Sequence, residues 1–574
     1  MWRVITKISR FFMLMGGLWC GACPVLAQQA ADSVSVQAQY DEGVRQKEAG
    51  QLAAAEQTFG EVIRRQPDND RAYFQLALIQ TGNKDLAAAA QSALHAAELK
   101  PDNQAYWSMV LDIYRETRNV KAIPVVLDEL IRLNPADAAL YHEKAYALFL
   151  DKQYDAALAA CDAIGSRFGT TDDLHFTKHQ IYLAQGNTDA AVSELKDVIS
   201  DGPEDPKAYI LLSGVYNETG ETKEALALLD RADERFPGQP LVLLSKSDTY
   251  LAMGKQRQAY SCLQQAFGSD RLELDAKAGV LYNAVSNKRQ PLDPEYVARL
   301  ADQFAAAYPA EAKAHAVRGD VYMQLQRPDE ARGAYLEALD INRHVEGLWQ
   351  QLMQAELQLG RYDDVEAHGK EALGLFPNQP LILFFAGHGY LANQQYKEAR
   401  ASLETALNNA DAANVPLMTQ LYSSLGDVYH AMDMYAESDV AYSEAIALDS
   451  TNAYALNNYA YYLALRKQKL PLAAEMSKRS NELEPGSSSY QDTYAWVLFQ
   501  QGDYHTALEW IEKAIGNSDE VSETLLEHHG DILAKLGHIG KAVSQWKKAR
   551  DLSRSIGKDI DKLSQKIDAK QYLD

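Results

Sequence analysis

The sequence predicts an all-α protein, a right-handed superhelical solenoid of about fifteen helix-turn-helix units closed by a capping helix. Three observations predict it. Prolines return on a fixed interval: Pro67, Pro101 and Pro135 are 34 residues apart, Pro203 and Pro237 continue the series, and Gly169 holds the missing place. Small and aromatic residues recur at set places inside each interval. A length of 574 residues exceeds what one compact core accommodates, which favours an array of units. A hydrophobic share of 47% excludes a wholly disordered chain.

Residues 1–27 read as a secretory signal peptide. Arg3, Lys7 and Arg10 precede the apolar run FFMLMGGLWCGACPVLA, which ends in the small-residue cleavage pattern Val25-Leu26-Ala27. The run is too short and turns polar too abruptly for a membrane span. Cys23 follows Gly21-Ala22 in the manner of a lipoprotein signal, with a lipid anchor as the consequence. Position 20, however, holds cysteine where a leucine-like residue is expected, so cleavage after Ala27 is favoured over acylation at Cys23. No other segment has the length and apolarity of a transmembrane helix. Loss of the leader leaves 53 basic against 79 acidic residues, a net charge of −26 that repels nucleic acid. Only Cys161 and Cys262 then remain, on similar helix positions of repeats three units apart, and both are expected as core fillers.

Residues 28–37 are expected as a short polar linker and 38–271 as the N-terminal array. With each unit's proline counted as position 32, the first unit places Gly43 at position 8, Ala55 at 20 and Phe59 at 24. Gly319, Tyr322, Ala331, Tyr335 and Ala338 fill positions 8, 11, 20, 24 and 27, and Gly387, Tyr390, Ala399, Leu403 and Ala406 do the same. A small residue at 8 facing a small residue at 20 lets two helices cross closely, with the aromatic at 11 or 24 filling the space beside them. The proline ends the second helix. Each hairpin leaves an apolar face that only its neighbour covers, so the units stack.

The interval then changes in three places. Residues 272–309 carry four extra residues around NKRQPLDPEY and are expected as an irregular helical unit dividing the array. The C-terminal array, 310–553, has about five extra residues at NNADAANVPLMTQ and one more at RKQKLP. Residues 554–574 show helical apolar spacing and are expected as the solvent-facing capping helix. From Gly530 to Asp574 ten Lys and Arg face six Asp, a local excess that suits either an acidic partner or a solvated helix face.

The period and its internal residues resemble the tetratricopeptide repeat superfamily, over almost all of the mature chain. The stretches LNNYAYYLALR, YQDTYAWVLFQQGDY and LEHHGDILAKLG, with AKAHAVRGDVY after the irregular unit, are similar to long exported tetratricopeptide proteins of Gram-negative bacterial envelopes. That resemblance implies a periplasmic or otherwise exported scaffold or adaptor, with outer-membrane association left open.

Signatures of catalysis are missing: no Gly-rich phosphate loop, no His-Glu-x-x-His, no Gly-x-Ser-x-Gly, and no Cys-x-x-Cys in the mature chain. In LEHHGDIL, Glu527, His528, His529 and Asp531 lie close in sequence, but successive helical residues point about 100° apart, so the two histidines do not share an ion easily. No enzyme activity, cofactor or metal is expected.

In this family the first helix of each hairpin lines the concave surface, with positions 2, 5, 6, 9, 12 and 13 pointing inward. The C-terminal units place there Asp427 and His430, then Asn457, Asn458 and Tyr461, then Asp492 and Trp496, then His528 and Asp531. Amides that donate and accept, beside flat aromatic rings, form a candidate peptide-binding groove. The same residue types also occur at these places in repeats without a ligand. The Lys and Asn clamp of the chaperone-binding class is missing, since position 6 reads Asp41, Gln75, Met109 and Glu143 in successive units; of the asparagine ladder of the sugar-transferase class only Asn458 fits. The expected partners are other envelope proteins, not nucleic acid. A carbohydrate-binding or glycan-uptake accessory, and an accessory subunit of an envelope enzyme, remain alternatives.

Overall fold

The computed structural model describes residues 23–573, with side chains from residue 35. Residues 1–22 of the expected leader, and the side chain of Cys23 on which a lipid anchor would depend, lie outside the described residues. Among the described residues there are 31 helices and no strand; in order they make fifteen pairs and a closing helix, Asp561–Ala569. The expected linker at 28–37 is instead the interior of the first helix, Cys23–Glu48. No glycine or proline interrupts the chain between Pro24 and Gly43, and its Ala and Gln are good helix formers.

Two compact units divide the chain, one ending at Gly254 and one starting at Lys255. The division precedes the expected end of the N-terminal array at Arg271. Its reason lies in helix Gln256–Phe267, which packs with helix Pro294–Ala307 of the irregular segment. Tyr260 stacks on Tyr296 at 4.5 Å, Phe267 meets Phe304 edge-on, and the Gln256 amide both donates to the Pro291 carbonyl and accepts from the Asp293 N–H.

The period is visible in the backbone. Left-handed residues stand at Gly50, Lys84, Arg118, Lys152, Gly186, Gly220 and Gly254, each 34 residues after the last. In the second unit they stand at Gln326, Gly360, Gln394, Asp433, Lys467, Gly502 and Gly537, with steps of 34, 34, 39, 34, 35 and 35. Each closes the first helix of a hairpin: the Lys84 N–H reaches the Thr81 carbonyl and the Asp85 N–H the Gln80 carbonyl. The lysines, arginine, glutamines and aspartate among them hold φ between 52° and 61°, at a cost of roughly 1 kcal/mol each relative to glycine, offset by those bonds and by hairpin packing. The extra residue expected at RKQKLP produces a second left-handed lysine, Lys469, two residues after Lys467.

Close helix crossing is achieved differently from the sequence expectation. A Cβ added at Gly319 would lie 2.4 Å from the Tyr335 ring, at Gly426 2.6 Å from Tyr442, and at Gly530 2.5 Å from Trp546. The residue at position 24 therefore sits over the glycine at 8, in the space a side chain would take, rather than beside a contact between positions 8 and 20. Cys161 and Cys262 are both buried, as expected of core fillers, and no disulfide joins them among the described residues.

Candidate functional site

Three first helices of consecutive hairpins, Ala453–Leu465, Ser488–Gln501 and Glu523–Lys535, lie side by side in the second unit. Asn452, Ser487 and Ser522 cap their N-termini, accepting from the N–H of Ala455, Tyr490 and Leu525. Leu456, Tyr459, Ala460 and Leu463 are buried between helices, as their positions require. Between the three helices opens a polar cleft of about 540 Å³. Asn457, Asn458, Tyr461 and Tyr462 line it from the first helix, Ser488, Ser489, Asp492 and Thr493 from the second, and Thr524 and Leu525 from the third; Ser518, Glu520 and Ser522 close it from the connecting loop.

Four of the nine residues expected in the groove, Asn457, Asn458, Tyr461 and Asp492, thus line one cleft. Asn457 is only 4% exposed, donates from Nδ2 to Asn458 Oδ1 at 3.1 Å, and has no partner for its own Oδ1. The Tyr461 hydroxyl is pushed up to about 12 by burial, reinforced by the carboxylates of Asp492 and Glu527. The Asp492 carboxylate accepts from the His528 ring at 2.8 Å. Burial alone would lower the His528 pKa, but Asp492 overrides it and holds the imidazole above its ordinary value.

The other five are engaged inside the protein. Asp427, 8% exposed, accepts from Tyr442 at 2.5 Å, Tyr454 at 2.6 Å, Tyr462 at 2.9 Å and Asn458 at 3.3 Å. Asp531, 2% exposed, holds the Lys566 ammonium with both oxygens at 2.8 Å and accepts from Trp546 Nε1 at 2.9 Å. Position 9 was expected to face the groove; in these hairpins the polar edge of the position-24 ring draws the aspartate between the helices instead. His430 stacks on Tyr462 with centroids 3.6 Å apart. Trp496 is sandwiched by His528 at 4.0 Å and Phe499 at 4.8 Å. His528 contributes to the site only by holding Asp492.

The signal for the aspartates was present in the sequence: Gly-Asp followed by Tyr or Trp 15 residues after the aspartate, in Asp320–Tyr335, Asp427–Tyr442 and Asp531–Trp546. The loop residues Ser518 and Glu520 had no such signal. Lys566 had only the basic excess of the tail, part of which the structure spends on Asp531 and Glu527. In the first unit, His175, Glu194 and Asp197 bring ligand atoms within 4.8 Å of one another, and the His175 ring is paired with Glu194 at 2.6 Å.

Comparison with known proteins finds matches over parts of the chain. Models described as tetratricopeptide repeat match residues 40–104, 182–247, 312–345, 419–452 and 491–513. Within those stretches the chain matches the tetratricopeptide repeat. It is 24% identical over 345 residues to the TPR repeat-containing protein YpiA of Bacillus subtilis (strain 168), across 59% of this chain and 70% of that protein. Among solved structures it is similar to a tetratricopeptide repeat protein from Parabacteroides merdae, with 15% identity, 45% of this chain and 98% of that one covered, and a TM-score of 0.36. The APC/C hetero-tetramer Cut9-Hcn1 matches with 12% identity, 88% of this chain and 97% of that one covered, and a TM-score of 0.39. Tetratricopeptide repeats generally mediate protein–protein interaction, and solenoids of this kind are typically non-enzymatic. No described helix is long and apolar enough to cross a membrane.

Proposed function

We propose that the protein is a non-enzymatic scaffold of the bacterial cell envelope that holds an extended segment of another protein in the cleft between helices Ala453–Leu465, Ser488–Gln501 and Glu523–Lys535. The observation that carries the reading is the Asn457 carbonyl oxygen, buried at the cleft and without a partner, because an orphaned buried acceptor costs about 1–3 kcal/mol unless something donates to it. A peptide N–H is such a donor, and Tyr461 beside it offers flat contact area. Support for the envelope comes from the basic, apolar and small-residue order of the leader.

Ser489 is exposed and lines the cleft, so it is the place for a photo-cross-linking residue. Irradiated cells should yield discrete protein adducts from position 489 and none from exposed Lys478 outside it. Identical adducts at both sites, or none, would sink the cleft reading. Fractionation should find the processed chain in the envelope; an unprocessed cytoplasmic pool would overturn the location. A second reading, glycan binding, is favoured by the hydroxyls and amides of the lining, and a glycan array whose signal disappears in Tyr461→Ala would establish it instead.

A further inference from the structure

The hydrogen bonds around the cleft are lopsided. Several of its donors are turned into the protein: Asn457 Nδ2 goes to Asn458, Asn458 Nδ2 and the Tyr462 hydroxyl go to Asp427, the Ser488 hydroxyl goes to the Ala514 carbonyl at 2.8 Å, and the Ser518 hydroxyl to the Glu520 carbonyl at 2.7 Å. Beside them Asn457 Oδ1 is a buried acceptor without a partner. Asp492 and Glu520 add carboxylates, while no lysine or arginine among the described residues lines the cleft. Lys566, whose partners Asp531 and Glu527 lie on the third helix, is buried against them. The chain as a whole carries −23, so its field favours cations at long range as well.

A carboxylate or phosphate would meet the carboxylates of Asp492 and Glu520, and the one imidazole beside them, His528, is already held by Asp492. A neutral apolar side chain would leave the acceptors unmet. An ammonium or guanidinium supplies several N–H donors and the opposite charge at once. Resting on the reading of the cleft as a seat for a partner's segment, we propose that the cleft recognises that segment through a lysine or arginine side chain, with donors directed to Asn457 Oδ1 and to the carboxylates of Asp492 and Glu520.

The full chain is titrated with acetylated, amidated octapeptides that differ only in a central Lys, Arg, norleucine, Gln or Glu. Lys and Arg peptides should bind about tenfold tighter than norleucine, as one charge-assisted interaction supplies. The preference should shrink in about 1 M NaCl and in Glu520→Gln, a change at an exposed residue that leaves the fold intact. Tyr461→Ala, and Ser489→Trp at the exposed rim, report whether binding occurs in the cleft. Peptides that bind in a Tyr461- and Ser489-sensitive way without favouring Lys or Arg would overturn the cationic specificity and leave the cleft reading standing. No peptide bound in that sensitive way overturns both.

Discussion

The two units keep the same hairpin but not the same metre. Up to Gly254 the left-handed turn residues step by 34 without exception, whereas after Asp433 the steps are 34, 35 and 35, and the step before it is 39. The cleft lies where the metre has slipped: one added residue makes the Lys467 to Lys469 turn leading out of its first helix, and another lies between Gly502 and Gly537, the stretch that holds Ser518 and Glu520. A strict repeat gives every hairpin the same neighbour geometry. A single added residue is cheap in loop entropy, yet it brings a loop against one interhelical gap and not the others. Irregular spacing is thus how a repetitive scaffold acquires a particular place.

The largest break in this comparison should come from Lys566→Met. It strands Asp531, buried to 2%, without its counter-charge and should destabilise the second unit by ~3–5 kcal/mol in urea denaturation followed by tryptophan fluorescence. A loss below about 1 kcal/mol would mean that the pair is dispensable.

Next, Gly426→Ala pushes a methyl to 2.6 Å from the Tyr442 ring and should cost about 1–3 kcal/mol. In the first unit Gly60→Ala, in a helix interior with nothing within 4 Å, should instead stabilise by about 0.5–1 kcal/mol. Equal signs for the two would contradict the account of position 8. Smaller still, Lys467→Gly and Lys84→Gly relieve the same left-handed backbone in the two units and should each raise stability by up to roughly 1 kcal/mol, measured as a shift in denaturation midpoint.

The finest distinction is in pH. Burial lowers the pKa of His388, His430 and His529 in the second unit, Arg466 adding to the effect at His430. A base with a lowered folded pKa contributes stability that is present above its unfolded value near 6.5 and is lost as pH falls through the folded value. His528, raised by Asp492 against its burial, has the opposite sign: its stabilisation is present below about 6.5 and is lost as pH climbs through the folded pKa. Thermal melts from pH 8 to pH 5 should show a decline on the acid side that flattens in His388→Gln and steepens in His528→Asn. A His528→Asn profile parallel to the parent would rule out the Asp492 pairing as a charged contact.

Much of this was legible beforehand because a repeat writes its packing many times over. The 34-residue interval, the place of Gly43, Gly319 and Gly387, and the burial of Leu456, Tyr459, Ala460 and Leu463 follow from helix geometry alone. The direction of a polar side chain at position 9 does not. Asp427 and Asp531 turn inward because a hydroxyl or indole N–H 15 residues later waits there, a contact between helices that no single-helix wheel displays. Where position 9 is Tyr461 the side chain lines the cleft; where it is Trp496 it is held in an aromatic stack. The loop at Ser518 and Glu520 is harder to see because its one added residue lies between Gly502 and Gly537, where no proline marks the interval.

The link between Lys566 and Asp531 also orders events in time. Helix Glu523–Lys535 forms one wall of the cleft, yet the ammonium that neutralises its buried aspartate is synthesised 35 residues later. Until residues 561–569 are in place, that wall holds a bare carboxylate. A nascent chain therefore carries the cleft in an unfinished state and completes it only once residues 561–569 have folded back. A partner segment would then meet a competent seat on the released protein and a poor one on the ribosome-bound chain.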